Sequence, residues 1–95
     1  MGANQPELYF VFMNFDPEYE RLKGDRTKHE AYELDHYLNN KHDELLASAL
    51  QPGTYKKIFS WVIVDGFAVE ITENQAEVIR STEGVRVVEK NQELN

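Results

Sequence analysis

Three histidines, His29, His36 and His42, are the residues of this sequence best suited to proton transfer or metal ligation. All three fall within one stretch with helical periodicity, at gaps of seven and six residues. A helical metal pair wants its ligands one turn apart, so no metal site is expected. His29 and His36 read as solvated helix residues. His42 is different, because it lies in line with Ala31, Leu34, Leu38, Leu45 and Ala49. It reads first as a hydrogen-bonded core histidine and second as a candidate pH sensor, since imidazole changes charge near neutral pH. Catalysis would need a nucleophile with a base in reach, a paired carboxylate site or a metal cluster. The chain has no cysteine, its carboxylates fall on helix surfaces and ends, and it lacks a glycine-rich phosphate loop. The expectation is a protein without catalytic residues, cofactor or metal.

Binding chemistry is better represented. Tyr55–Ile71, YKKIFSWVIVDGFAVEI, reads as two β-runs joined by Asp65-Gly66, a strong hairpin signal. A two-residue turn there sets Val64 opposite Phe67, Val62 opposite Val69 and Ser60 opposite Ile71, with Ile58 on the same face. The other face carries Phe59, Trp61 and Ile63, with Ala68 and Glu70 opposite the last two. A sheet covered on one side alternates apolar and polar residues. This hairpin is apolar on both sides, so one face is expected to meet the chain's own helices and the other a protein partner.

The elements that position these residues follow in order. Met1–Pro6 is read as a disordered leader. Glu7–Phe15 is apolar almost throughout, as a central strand buried on both faces would be. Asp16–Gly24 reads as a loop. A helix is expected from an N-cap at Asp25 or Thr27 to Leu50, with Lys41 and Asp43 among its solvated residues. Gln51-Pro52-Gly53 ends it. After the hairpin, Thr72–Gln75 fits a capping box that opens a short helix burying Ala76, Val78 or Ile79. Gly84 closes that helix, Val85–Lys90 is a last strand, and Asn91–Asn95 is a polar tail. The expected fold is α+β and ferredoxin-like, β-α-β-β-α-β, with a four-stranded antiparallel sheet and two helices on one face.

Composition narrows the partners. Ninety-five residues allow one small domain with a single core. Ten basic against 17 acidic residues, a net charge of −7, disfavour nucleic acid and anionic membrane surfaces. Aromatics on a sheet of this kind also suit RNA, but the basic residues are too few. Neither a membrane-spanning run nor a signal peptide is evident.

Several stretches, taken together and in order, resemble the prodomains of plant subtilisin-like serine proteases. Tyr9–Met13 is similar to their opening strand, and His42-Asp43-Glu44-Leu45-Leu46 to their H-x-x-L-L element. Tyr55–Trp61 followed by Asp65–Val69 resembles their central hairpin. Thr72–Ala76 and Gly84–Val88 resemble their second helix and last strand. The segment around Asp16–Lys28 looks like an insertion of one subgroup. The resemblance implies a prodomain over residues 7–90 that chaperones and inhibits the catalytic domain, in the secretory pathway or outside the cell, as a monomer or a 1:1 complex. It implies that Phe59, Trp61 and Ile63, with Glu70 on the same face, pack on the protease. Glu89 and Asn91 would cap the N-termini of protease helices, and Gln92, Glu93, Leu94 and Asn95 would enter the active-site cleft. Two other readings share these features: a free-standing inhibitor of subtilisin-type proteases, and a ferredoxin-like module dimerising through its sheet.

Overall fold

A computed structural model of the chain describes residues 5–24 and 28–92, the side chains of residues 28–30 not among them. Seven elements follow one another: β1 (Glu7–Met13), α1 (Pro17–Gly24), α2 (Lys28–Ala49), β2 (Lys56–Trp61), β3 (Gly66–Ile71), α3 (Glu73–Arg80) and β4 (Val85–Lys90). The sheet order is β2-β3-β1-β4, and every neighbouring pair is antiparallel. This is the expected ferredoxin-like sheet, with one helix more than expected. Residues 1–4 of the expected leader Met1–Pro6, the two candidate N-caps Asp25 and Thr27, and the last three tail residues lie outside the described residues.

Alternation along the central strands decides where the core lies. Tyr9, Val11 and Met13 of β1 share a face with Phe67, Val69 and Ile71 of β3 and Val88 of β4. Leu46 and Leu50 of α2 and Ala76 and Ile79 of α3 close over that face to complete the main core. Thr72 caps α3 through a capping box, its hydroxyl accepting from Gln75 N–H at 3.2 Å while the Gln75 side chain accepts from Thr72 N–H at 2.9 Å. Val78 is on the solvent side of α3, and Ala31 is exposed at the start of the α2 stripe.

The segment Asp16–Gly24 is not a loop. Asp16 accepts from the Glu18 N–H at 3.0 Å, Pro17 takes the first helical position, and α1 follows with acidic residues in its first turn and basic ones in its last. Tyr19 and Leu22 of α1 are buried against Leu34 and Leu38 of α2, forming a second small core beyond the end of the sheet.

The hairpin also differs from expectation. Ser60 pairs with Phe67, Phe59 with Ala68 and Trp61 with Gly66, and the connection is the four residues Val62–Asp65. A type I′ turn at Asp65-Gly66 needs positive φ at both positions. Among the described residues, positive φ occurs only at Gly53 and Gly84. The displacement is an even number of residues, so Phe59 and Trp61 keep their face while Val62, Ile63 and Val64 leave the strand for the turn. Ile58 is the extra residue of a bulge between Lys57 and Phe59, and is exposed rather than packed under the helices.

Gly66 is required for a reason other than turn geometry. A Cβ there would lie 2.7 Å from the Val11 carbonyl oxygen and 3.0 Å from the Phe12 ring. Gly66→Ala is therefore expected to destabilise the fold by about 1–3 kcal/mol through overpacking, measured as a lower midpoint in urea at unchanged slope.

Candidate functional site

The face of the sheet turned away from α2 and α3 is built in three rungs. Trp61, Gly66, Phe12 and Val87 form the first, Phe59, Ala68, Phe10 and Glu89 the second, and Lys56, Glu70 and Leu8 the third. The aromatic rings gather around Trp61. Phe12 stacks on it with centroids 5.6 Å apart, Phe10 is tilted against it at 5.3 Å, and Phe59 meets it edge-on at 5.0 Å. Phe59 is 43% exposed, and Phe10, Phe12 and Trp61 are each partly exposed. None of the four belongs to either buried core. The rungs change character along the strands, apolar near the β2–β3 turn and charged near the chain's end. Asn91 continues the ladder by donating its N–H to the Leu8 carbonyl at 2.9 Å, and Gln92 is exposed just beyond.

Of the residues singled out in sequence, Phe59, Trp61, Glu70 and Glu89 therefore share one open face. Ile63 does not share it: it stands at the hairpin tip, 87% exposed. Phe10, Phe12 and Val87 complete the face, and the period-two pattern of an apolar first strand was the signal for the first two.

On the helix-covered side, between α1, α2 and the hairpin turn, lies a buried polar cluster. His42 is fully buried against the Phe67 ring. Its Nε2 is 2.7 Å from Asp65 Oδ1 and its Nδ1 is 2.7 Å from Ser60 Oγ. Asp65 is also paired with Lys41, which donates in turn to Asp16 Oδ2 at 2.8 Å. Lys41 is thus part of the interior cluster rather than solvated. Tyr37 donates to the same Asp16 oxygen at 2.6 Å. The Tyr19 hydroxyl lies 2.9 Å from the carbonyl oxygens of both Val62 and Ile63 and donates to them. Burial pushes the Asp16 carboxyl up, but the hydrogen bonds from Lys41 and Tyr37, with the lysine charge, outweigh it and hold the group below its ordinary value. Burial and the adjoining Asp16 carboxylate push the Tyr37 phenol well above its ordinary range. His36 and its stacked neighbour Tyr32 remain on the outer surface. Among the described residues, no three His, Cys, Asp or Glu side chains are grouped to hold a metal.

Comparison with known proteins agrees with this architecture. A family model for "Peptidase inhibitor I9" matches residues 19–95. The chain belongs to the peptidase inhibitor I9 family. It is 32% identical to Subtilisin-like protease SBT2.5 of Arabidopsis thaliana across 88% of the chain, and 31% identical to Subtilisin-like protease SBT2.4 of the same plant across 90%. Subtilisin-like protease SBT2.6 is 38% identical over 57% of the chain. This I9 domain spans only 12%, 10% and 7% of those three relatives, respectively. No solved structure matches it. The resemblance to subtilisin-like protease prodomains is borne out, and the family is one of inhibitors rather than catalysts.

The buried cluster predicts an acid limit. Because the folded Asp16 holds its proton less tightly than an unfolded aspartate, its contribution is complete above the usual carboxylate range, near pH ~4, and fades as pH falls through the lower folded value. Asp16→Asn is expected to cost about 1–3 kcal/mol at pH 7, by removing one of the two carboxylates paired with Lys41 and weakening the cap of α1, and to remove part of the acid sensitivity below about pH 4. Urea unfolding of both proteins from pH 7 to pH 2.5 measures it.

Proposed function

We propose that this I9 domain is the inhibitory propeptide of a subtilisin-like serine protease, held on the catalytic domain by the open face of its sheet. The observation that carries the reading is the Phe10, Phe12, Phe59 and Trp61 cluster on the face turned away from α2 and α3. Aromatic residues of this kind serve as anchors in protein contacts. A contact of standard size buries about 800 Å² on each partner, which a four-stranded sheet can supply.

In this reading the tail Asn91–Asn95 runs from β4 into the active-site cleft and occupies it as a product would. A short tail alone would bind weakly. Tethered to the sheet contact, it acts at a high effective concentration and leaves slowly. The Glu89 carboxylate, on the open face two residues before the tail, suits the positive end of a protease helix. Asn91 offers an uncharged acceptor to a second helix. The catalytic domain binds only the folded form, so each partner stabilises the other, which is the physical basis of a chaperone role. The domain then forms a 1:1 complex and follows its protease through the secretory pathway.

His42 is the candidate for making this contact pH-dependent. In the neutral form with Nε2 protonated, Nε2–H donates to Asp65 and Nδ1 accepts from the Ser60 hydroxyl. A second proton reverses the Ser60 bond, although Lys57 already donates to that oxygen at 3.3 Å. The charged groups around the site are Asp65 on the turn, Lys41 on α2, Asp16 before α1 and Lys57 on β2. Ser60 is the neighbour of Phe59 and Trp61, so a shift there is felt on the binding face.

Two measurements test the proposal. The chain is expected to inhibit the mature catalytic domain of a plant subtilisin-like protease at micromolar concentration or below. Trp61→Glu is expected to raise the inhibition constant about thirtyfold or more, as loss of an anchor worth ~2 kcal/mol would, with the folded structure retained. Absence of inhibition together with a stable dimer in light scattering favours a module closed on itself. His42→Gln is expected to alter the pH dependence of inhibition; parallel pH profiles for the two proteins remove the histidine from the role.

A further inference from the structure

The turn Val62–Asp65 is unusual in composition. Tight turns are rich in Gly, Asn, Asp and Ser, whereas this one carries Val62, Ile63 and Val64 in succession, all exposed. Single exposed aliphatics are ordinary. Here three are contiguous, and Phe15, 78% exposed, lines the same cleft as Ile63 and Val64.

The turn is also held from several sides. The Tyr19 hydroxyl reaches the carbonyls of Val62 and Ile63, Met13 N–H donates to the Asp65 carbonyl at 2.9 Å, and the Asp65 side chain is paired with His42 and Lys41. A wet turn needs none of these buried partners. They give the segment a fixed backbone that presents Ile63 outward, so its ordering cost falls on folding rather than on association.

The tip adjoins the open sheet face across a cleft that mixes apolar side chains with the charged Lys23, Arg86 and Glu89. Val62 follows Trp61 directly in sequence. Phe12 and Val87, members of the Trp61 rung, line the cleft that also contains Phe15, Ile63 and Val64. The tip and the tail leave opposite ends of the sheet: Met13 pairs with Val85 beside the turn, and Tyr9 with Lys90 beside the tail. The six steps of β1 between Glu7 and Met13 put the two ends about 20 Å apart.

We infer that the hairpin tip, with Ile63 as its leading side chain, is a separate contact to an apolar patch on the catalytic domain, at the end of the interface remote from the tail. This rests on the sheet-face reading above and adds to it a second contact point far from the cleft. With both ends of the sheet engaged, the domain is fixed against rotation about the aromatic cluster. The composition of the tip then discriminates among proteases whose clefts accept the same tail.

The test compares wild type, Ile63→Asp, Ile63→Ser, Ile63→Leu and Trp61→Glu in the full 95-residue chain. Each is assayed against the mature catalytic domain of a plant subtilisin-like protease, with thermal unfolding and light scattering alongside. Ile63→Asp is expected to raise the inhibition constant at least about tenfold (~1.4 kcal/mol), mainly through faster dissociation, with unchanged melting temperature. Ile63→Ser is expected to act in the same direction and Ile63→Leu to stay near wild type. An unchanged constant for both polar variants, beside a raised one for Trp61→Glu, overturns the tip contact and leaves the sheet-face reading intact. If Trp61→Glu is also without effect, that reading falls and takes the tip contact with it. Loss of folding in both polar variants, or a change confined to the mass in light scattering, shows the tip serving the fold or a second copy, and overturns the inference.

Discussion

The Asp65 carboxylate, 93% shielded from solvent between His42 and Lys41, decides where the chain reverses between β2 and β3. Once that side chain is drawn toward α2, Asp65 and Gly66 cannot form a two-residue turn of their own. The reversal then takes in Val62, Ile63 and Val64, and Trp61 comes opposite Gly66. That pairing in turn lets the Phe12 ring stack flat on the indole above a residue without a Cβ. The apolar tip follows from where this cluster holds Asp65.

Such a cluster contributes little net stability, because desolvating charges offsets most of what their attraction returns. Its effect here is on geometry. Asp16 before α1, Lys41 on α2 and Asp65 on the turn belong to three different elements, and Lys41 bridges the two carboxylates. Tyr37 and Tyr19 close the arrangement from α2 and α1. Removing Asp65 takes a partner from both His42 and Lys41, so a register that moves it away is costly. The small core of Tyr19, Leu22, Leu34 and Leu38 secures α1 over the same corner.

The layer arrangement has its own logic. A chain of this length can cover one face of a four-stranded sheet with helices, and α2 and α3 do so over the main core. The opposite face keeps four aromatic rings partly in water, an arrangement the chain tolerates only because the rings also shield one another. Under the proposed function, the catalytic domain is what covers that face.

Much of this could be read from the residues in order. The ferredoxin-like sheet, the capping box at Thr72, the two-sided apolar hairpin and the stripe holding His42 all follow from local spacing, since alternation and helical periodicity depend only on neighbours along the chain. Phe59 and Trp61 kept their face because a register error of an even number of residues does not turn a strand over. The helix α1 was legible too, in the Asp16-Pro17 start and its graded charges, but a short charged segment resembles a loop until Tyr19 and Leu22 find Leu34 and Leu38. The placement of Ile63 was not legible. Sequence alone determined which strands and helices form and which side of the sheet stays open; the tertiary structure alone decided where the hairpin turns, because the groups that hold Asp65 lie more than 20 residues earlier in the chain.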